Sequence, residues 1–189
     1  MARNEARRIA LADAGVAVLA REGSRGLTHR AVDAEADVPT GTTSNYFRSR
    51  DALIQGIFDR IGQRLAPTEE DLAARSGIPP NRTLFAAYIR DIVRRLLENR
   101  EVTLALYELR LAAVRQPNLA APLAAWQRAG FEADITFNEA AGLPGGRREI
   151  ALLHYAIEGL VFDRLTSSID PETSTDEIVD DFVSALILV

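Results

Sequence analysis

Apolar positions along this 189-residue chain recur every three to four residues almost throughout, the period of helices packed on one side. Ile9, Ala12, Val16, Leu19 and Ala20 mark a first helix over 4–20, and Gly23 ends it. After a more polar stretch, Leu53, Ile54, Ile57, Phe58, Ile61 and Leu65 make one stripe behind Ser49, a good N-cap residue, and carry a helix to about Ala66. Residues 67–80, PTEEDLAARSGIPP, hold three prolines and an acidic run and read as a loop with at most a turn of helix. Asn81 caps a helix to about Asn99. Leu84, Tyr88 and Ile92 lie on one of its sides and Phe85, Ile89, Val93 and Leu96 on the other. The next helix reaches about Gln116, with Leu104, Tyr107, Leu111 and Val114 on a shared face. Another starts between Pro117 and Pro122 and runs to Ala141, where GLPGG stops it. A helix from Arg147 to Ser168 follows, and a capping box of Ser174 and Glu177 launches the last helix, to Val189. No segment reads as a strand and none repeats. The expectation is an all-α chain of nine or ten helices.

The polar stretch is Leu27 to Leu53, LTHRAVDAEADVPTGTTSNYFRSRDAL. Thr28 is placed to cap a short helix from His29 to Ala36, with Ala31, Val32 and Ala36 turned inward. Asp37-Val38 breaks it, and Pro39 brings a φ already suited to a first helical turn. A second short helix, Pro39 to Phe47, carries Thr40, Gly41, Thr42, Ser44, Asn45 and Tyr46, few of them able to build a core. Two short helices joined by a tight turn, the second polar and small-residued, describe a helix-turn-helix, whose second helix enters the major groove of DNA.

At these residues the chain resembles the TetR family of transcriptional regulators. The likeness rests on Gly26-Leu27-Thr28, on Val38-Pro39-Thr40-Gly41-Thr42, and on Tyr46-Phe47-Arg48-Ser49-Arg50-Asp51-Ala52-Leu53, and it covers residues 3 to about 62. Where the family often has leucine and tyrosine after Gly-Thr, this chain has Thr43-Ser44. The resemblance implies an N-terminal three-helix DNA-binding domain, residues 1–48 with the reading motif at 28–47. It also implies a C-terminal helical bundle, residues 49–189, for ligand binding and dimerisation. The function it implies is repression of transcription, released by a small-molecule effector.

Composition changes this picture little. The net charge is −5, but residues 1–50 hold eight arginines against six acids and residues 51–189 fourteen against twenty-one, so the reading end is +2 and the remainder −7. Local charge at the contact face governs phosphate binding. Arg3, Arg7 and Arg8 cluster at the start, and Arg48 and Arg50 flank the end of the second helix. All 22 basic residues are arginine. Without cysteine there is no disulfide or thiol nucleophile; with only His29 and His154 as histidines, no metal-spaced set or catalytic constellation forms. No catalysis, cofactor or metal is expected. No apolar run approaches the ~18 residues of a membrane helix, and a cytoplasmic protein without a membrane partner is expected.

For duplex DNA, the expected contact residues are Thr28, His29 and Arg30 at phosphate, and Thr40, Gly41, Thr42, Ser44 and Asn45 on the reading helix. Asn45 suits adenine, the threonine methyls suit thymine, and Gly41 lets the backbone come close. Tyr46 and Arg50 resemble the family's phosphate-contacting aromatic and basic positions. Effector binding is expected at Tyr88, Leu104, Tyr107, Trp126, Phe137, His154, Tyr155 and Glu158, because the family keeps a ligand cavity in its bundle. His154 and Glu158, four apart on one helix, either orient a ligand or hydrogen-bond across a subunit seam. The penultimate helix is apolar on two flanks: Ile150, Leu153, Ile157, Leu160 and Val161 on one, Leu152, Tyr155, Ala156 and Phe162 on the other. Such a helix must be covered all round. With Ile178, Phe182, Ala185 and Leu186 of the last helix, the first flank is expected to form a two-fold interface in a homodimer. The alternatives are a monomer that buries both helices itself, and a helical ligand-binding or interaction protein whose helix-turn-helix does not read DNA.

Overall fold

The computed structural model describes residues 2–75 and 77–187, with side chains from residue 4 onward. Val189 and the side chain of Arg3 lie outside the described residues. Among the described residues there are ten helices and no strand: α1 (Ala2–Gly26), α2 (His29–Glu35), α3 (Thr42–Tyr46), α4 (Arg50–Leu65), α5 (Glu69–Ala73), α6 (Arg82–Glu98), α7 (Arg100–Ala113), α8 (Pro117–Ala140), α9 (Arg147–Leu165) and α10 (Thr175–Leu186). Side-chain caps account for several of the helix starts. Thr28, Ser49 and Ser174 each accept from a backbone N–H three residues on, at 3.1 Å. Asn81 does the same for Leu84 at 2.8 Å. Each such cap contributes about 1 kcal/mol. Gly23 breaks α1 with φ 70°, a backbone other residues rarely adopt, so the regular helix ends where expected and a last turn follows to Gly26.

The chain folds into two compact units. The first comprises residues 1–66 and 99–126, the second 67–98 and 127–189. In the first, α1 packs on α7, α2 and α4, and α2 on α3. Its core gathers Leu11, Val16, Leu19, Leu27, Val32, Phe47, Leu53, Ile57, Phe58 and Ile61 with Val102, Ala105 and Leu109 of α7 and Leu119 of α8. Trp126, the one tryptophan of the chain, stacks on Phe58 with ring centres 5.7 Å apart. In the second unit, α6, α9 and α10 pack on one another. They bury Phe85, Ile89 and Val93 with Leu153, Ile157, Val161, Val179 and Val183. Asn138 is buried there and donates to Gly145 O at 2.9 Å, holding the turn that GLPGG forms.

Candidate nucleic-acid interface

Held from both ends, α3 is a short polar helix. Its start corrects the expected one: the helix begins at Thr42, not Pro39. Pro39, Thr40 and Gly41 form the turn, with Thr42 N donating to Pro39 O at 3.1 Å. Gly41 stands at φ 95°, where its lack of a Cβ matters for the bend of the chain itself. Helix α2 ends in a similar tight bend, with Asp37 at φ 49°.

One residue supplies the missing cap. Asp33 of α2 is 2 % exposed. Its Oδ2 accepts from Gly41 N at 2.7 Å, while Oδ1 accepts from Thr43 N at 2.7 Å and from the Thr43 hydroxyl at 2.6 Å. Burial alone would raise this carboxyl's pKa. The hydrogen bonds from Thr43 and Gly41, with a smaller contribution from His29, outweigh it and hold the group below the usual range. Stability drawn from a depressed carboxyl is complete above its unfolded value, about 3.9, and fades as pH falls through the folded value. Denaturant midpoints of the wild type and Asp33→Asn, compared from pH 7 down to 3, are therefore expected to converge as pH drops below about 4. A gap that stays constant would refute the assignment.

The far end of α3 is tied as firmly. His29 Nε2 donates to Phe47 O at 2.7 Å, so that nitrogen carries the proton. Arg8 donates to Tyr46 O at 3.3 Å and lies over the Phe47 ring, 4.5 Å from its centre. Arg50 donates to Leu27 O and, at 2.6 Å, to Ser24 O, binding the start of α4 to the end of α1. His29 and Arg50, both expected at DNA, are engaged here with the protein's own carbonyls and help to frame α3. What the frame presents is Thr28, Arg30, Thr40, Ser44 and Asn45, all exposed, with Thr42 and Tyr46 half-buried at the margins. Thr43, by contrast, is fully buried. The hydroxyls of Thr42 and Ser44 also bond back to Pro39 O and Gly41 O, at 2.6 and 3.1 Å.

Asp33 was not singled out from the sequence. A carboxylate beside an apolar helix position was the available signal, but its partners lie eight to ten residues away on another element, beyond any helical spacing rule.

The residues expected to meet an effector divide between the units. Leu104, Tyr107 and Trp126 belong to the first, all half-buried. Within the second, Tyr88 and Phe137 meet edge to face at 5.2 Å, and Arg75 lies over the Tyr88 ring. His154 pairs with Asp134 at 3.0 Å and touches the Phe131 ring, and Glu158 is half-buried. Tyr155 is 74 % exposed and points to solvent. A cavity of about 150 Å³ opens in the first unit, lined by Asp51, Ile54, Gln55, Phe58, Asn118 and Leu119, and includes none of the expected residues. Near Tyr88, the buried carboxylate of Asp91 pairs with Arg75, Arg94 and Arg95, ion pairs that sequence reading missed.

The flank expected at the subunit seam is covered within the chain. Ile150, Leu153, Ile157, Leu160 and Val161 are at most 7 % exposed within the chain itself, and α6 and α10 pack against α9. The flank left open is the other one, with Leu152, Tyr155 and Phe162. On α10, Ile178, Phe182 and Leu186 are half-buried and Ala185 is exposed.

Among the described residues no helix is long and apolar enough to cross a membrane, and no cluster of His, Asp and Glu with metal-binding geometry occurs. A family model described as tetracyclin repressor-like, C-terminal domain, matches residues 80–187, more than half of the chain. A member of the TetR family from Streptomyces coelicolor A3 is 28% identical and aligns over 97% of this chain and 99% of that one, with a TM-score of 0.73. The multidrug binding protein EbrR, complexed with imidazole, is 28% identical over 97% of this chain and 96% of its own, with a TM-score of 0.69. EbrR complexed with malachite green is similar at 28% identity, over 97% and 99%, with a TM-score of 0.70. The search of curated proteins gives no match. A capped helix-turn-helix at one end and a matching helical domain at the other lead to one conclusion: the chain belongs to the TetR family of DNA-binding transcriptional regulators, which are not enzymes.

Proposed function

We propose that the protein is a homodimeric repressor that binds a near-palindromic operator and leaves it when a small molecule binds. The observation that carries this is α3: a helix with an exposed polar face whose two ends are fixed by side chains of α1 and α2. A reading helix needs that rigidity, because base contacts are made only within a narrow range of positions. Asn45 is the adenine reader, Thr40 and Ser44 contact neighbouring base edges, and Thr28 and Arg30 meet phosphate together with the first amides of α2. Functionally, residues 1–48 read and residues 49–189 sense and dimerise. Two copies joined through the open flank of α9 present two α3 helices to half-sites about 34 Å apart, or a multiple of that.

EbrR is a multidrug binding protein with an overall likeness to this chain, which supports an organic effector. Tyr88 and Phe137 are the aromatic pair best suited to meet it. The partners are thus an operator duplex, an effector and a second copy, and the cytoplasm is where these meet.

Selection of bound sequences from a random duplex pool tests the reading. The expected result is an enriched two-fold site whose affinity falls about 10³-fold or more between 50 and 200 mM salt, as for a protein making six or more phosphate contacts. A pool that yields no enriched sequence refutes it.

A further inference from the structure

We infer that Asp33 is a positioning residue for operator recognition: its carboxylate, carried on α2, sets the pose of the α3 N-terminus and thereby which base edges Ser44 and Asn45 reach. The inference rests on the reading that α3 enters the groove. A helix of five residues is about 7.5 Å long and cannot sustain itself, since nucleating a single turn is unfavourable. No cap comes from the residue in the N-cap position, because Gly41 has no side chain. The Gly41 and Thr43 amides are satisfied instead by one buried carboxylate, which takes three donors from two residues.

Thr43 completes the lock. Its side chain faces inward on a helix otherwise polar on its outer face, and its hydroxyl bonds the same Oδ1 as its own amide. Ser44 and Asn45 follow immediately along the chain, so any shift of the Asp33–Thr43 contact is transmitted to them. A tilt of about 10° over a helix this long moves its end by about 1 Å, enough to spoil a paired hydrogen bond to a base. Asparagine in place of Asp33 keeps the shape, but it turns an N–H toward one of the donors it must accept from. The change is thus one of angle more than of fold.

The test uses the full-length protein and the operator recovered from the random pool with the wild type. Affinity is measured for that operator and for a random duplex of equal length, at a temperature where thermal melts show each variant folded. Asp33→Asn is expected to weaken operator binding about 10- to 100-fold, with less than about threefold change on the random duplex. Thr43→Val, which removes a single donor and keeps the shape, is expected to lose about 3- to 10-fold in the same selective way. It decides the matter if Asp33→Asn does not fold. Selection repeated with the variant is expected to return a blurred half-site. A purely structural role would lower both affinities together, and that result overturns the inference, as does an unchanged operator preference. If the wild type itself enriches no sequence, the DNA-reading conclusion falls and the inference falls with it.

Discussion

Phe162→Glu combined with Tyr155→Asp is expected to convert the dimer to monomers and to weaken operator binding about 10²- to 10⁴-fold. The loss arises because the second half-site contact ceases to be intramolecular. The choice of positions follows from what α9 does with its two flanks. Ile157 and Val161 are spent inside their own protomer, whereas Tyr155 and Phe162 are 74 % and 51 % exposed, with Leu152 one turn earlier at 38 %. Between them Gly159 would meet nothing within 4 Å if it carried a Cβ, leaving room for a side chain of the partner copy. Exposed aromatics of this size dominate interface energetics once covered. A carboxylate introduced there must be desolvated without a partner. The protomer should stay folded, since both side chains are at least half exposed. Sedimentation equilibrium and operator titration check both halves of the expectation. A double variant that remains a dimer shows that the subunits meet elsewhere.

Phe47→Ala is expected to cost about 3–5 kcal/mol, a large part of a typical net stability. The ring is fully buried. Arg8 lies over one side of it, and on another the α4 backbone comes so near that a Cβ on Gly56 would sit 2.4 Å from the ring. Emptying this site removes the surface on which α3 and α4 both lean, so DNA binding should vanish with the stability. Urea titration followed by the fluorescence of Trp126 reports on the affected unit directly. A cost under about 1 kcal/mol would mean that the ring is not the keystone proposed. Gly56→Ala tests the same contact from the other side, and destabilisation is expected because the aromatic ring must give way.

Local chemistry was the part most readable in advance. Thr28, Ser49, Asn81 and Ser174 announced helix starts because a capping side chain acts on amides two or three residues away. The apolar stripe of α4 likewise named its own buried face. Pro39 misled: its fixed φ suits a first helical turn, but Asp33 draws the Gly41 amide into its own carboxylate and delays the helix to Thr42. His29, Arg50 and Arg8 were legible as cations near a DNA-reading element, yet their partners are carbonyls brought close only by tertiary packing. The two flanks of α9 were equally apolar on paper. Periodicity shows that both need cover, and only the packing of α6 and α10 decides which is covered from within.

The chain leaves the first unit after Ala66 and re-enters it at Asn99, so α7 lies against α1 as an integral slab of that unit's interior. Val102, Ala105, Leu109 and Ala112 would be stripped from it by any cut that severs the N-terminal helices alone. Anyone grafting this operator specificity onto a foreign receptor must therefore transplant two separate stretches of chain, and a chimera spliced once behind α4 begins life with an open wound in its interior.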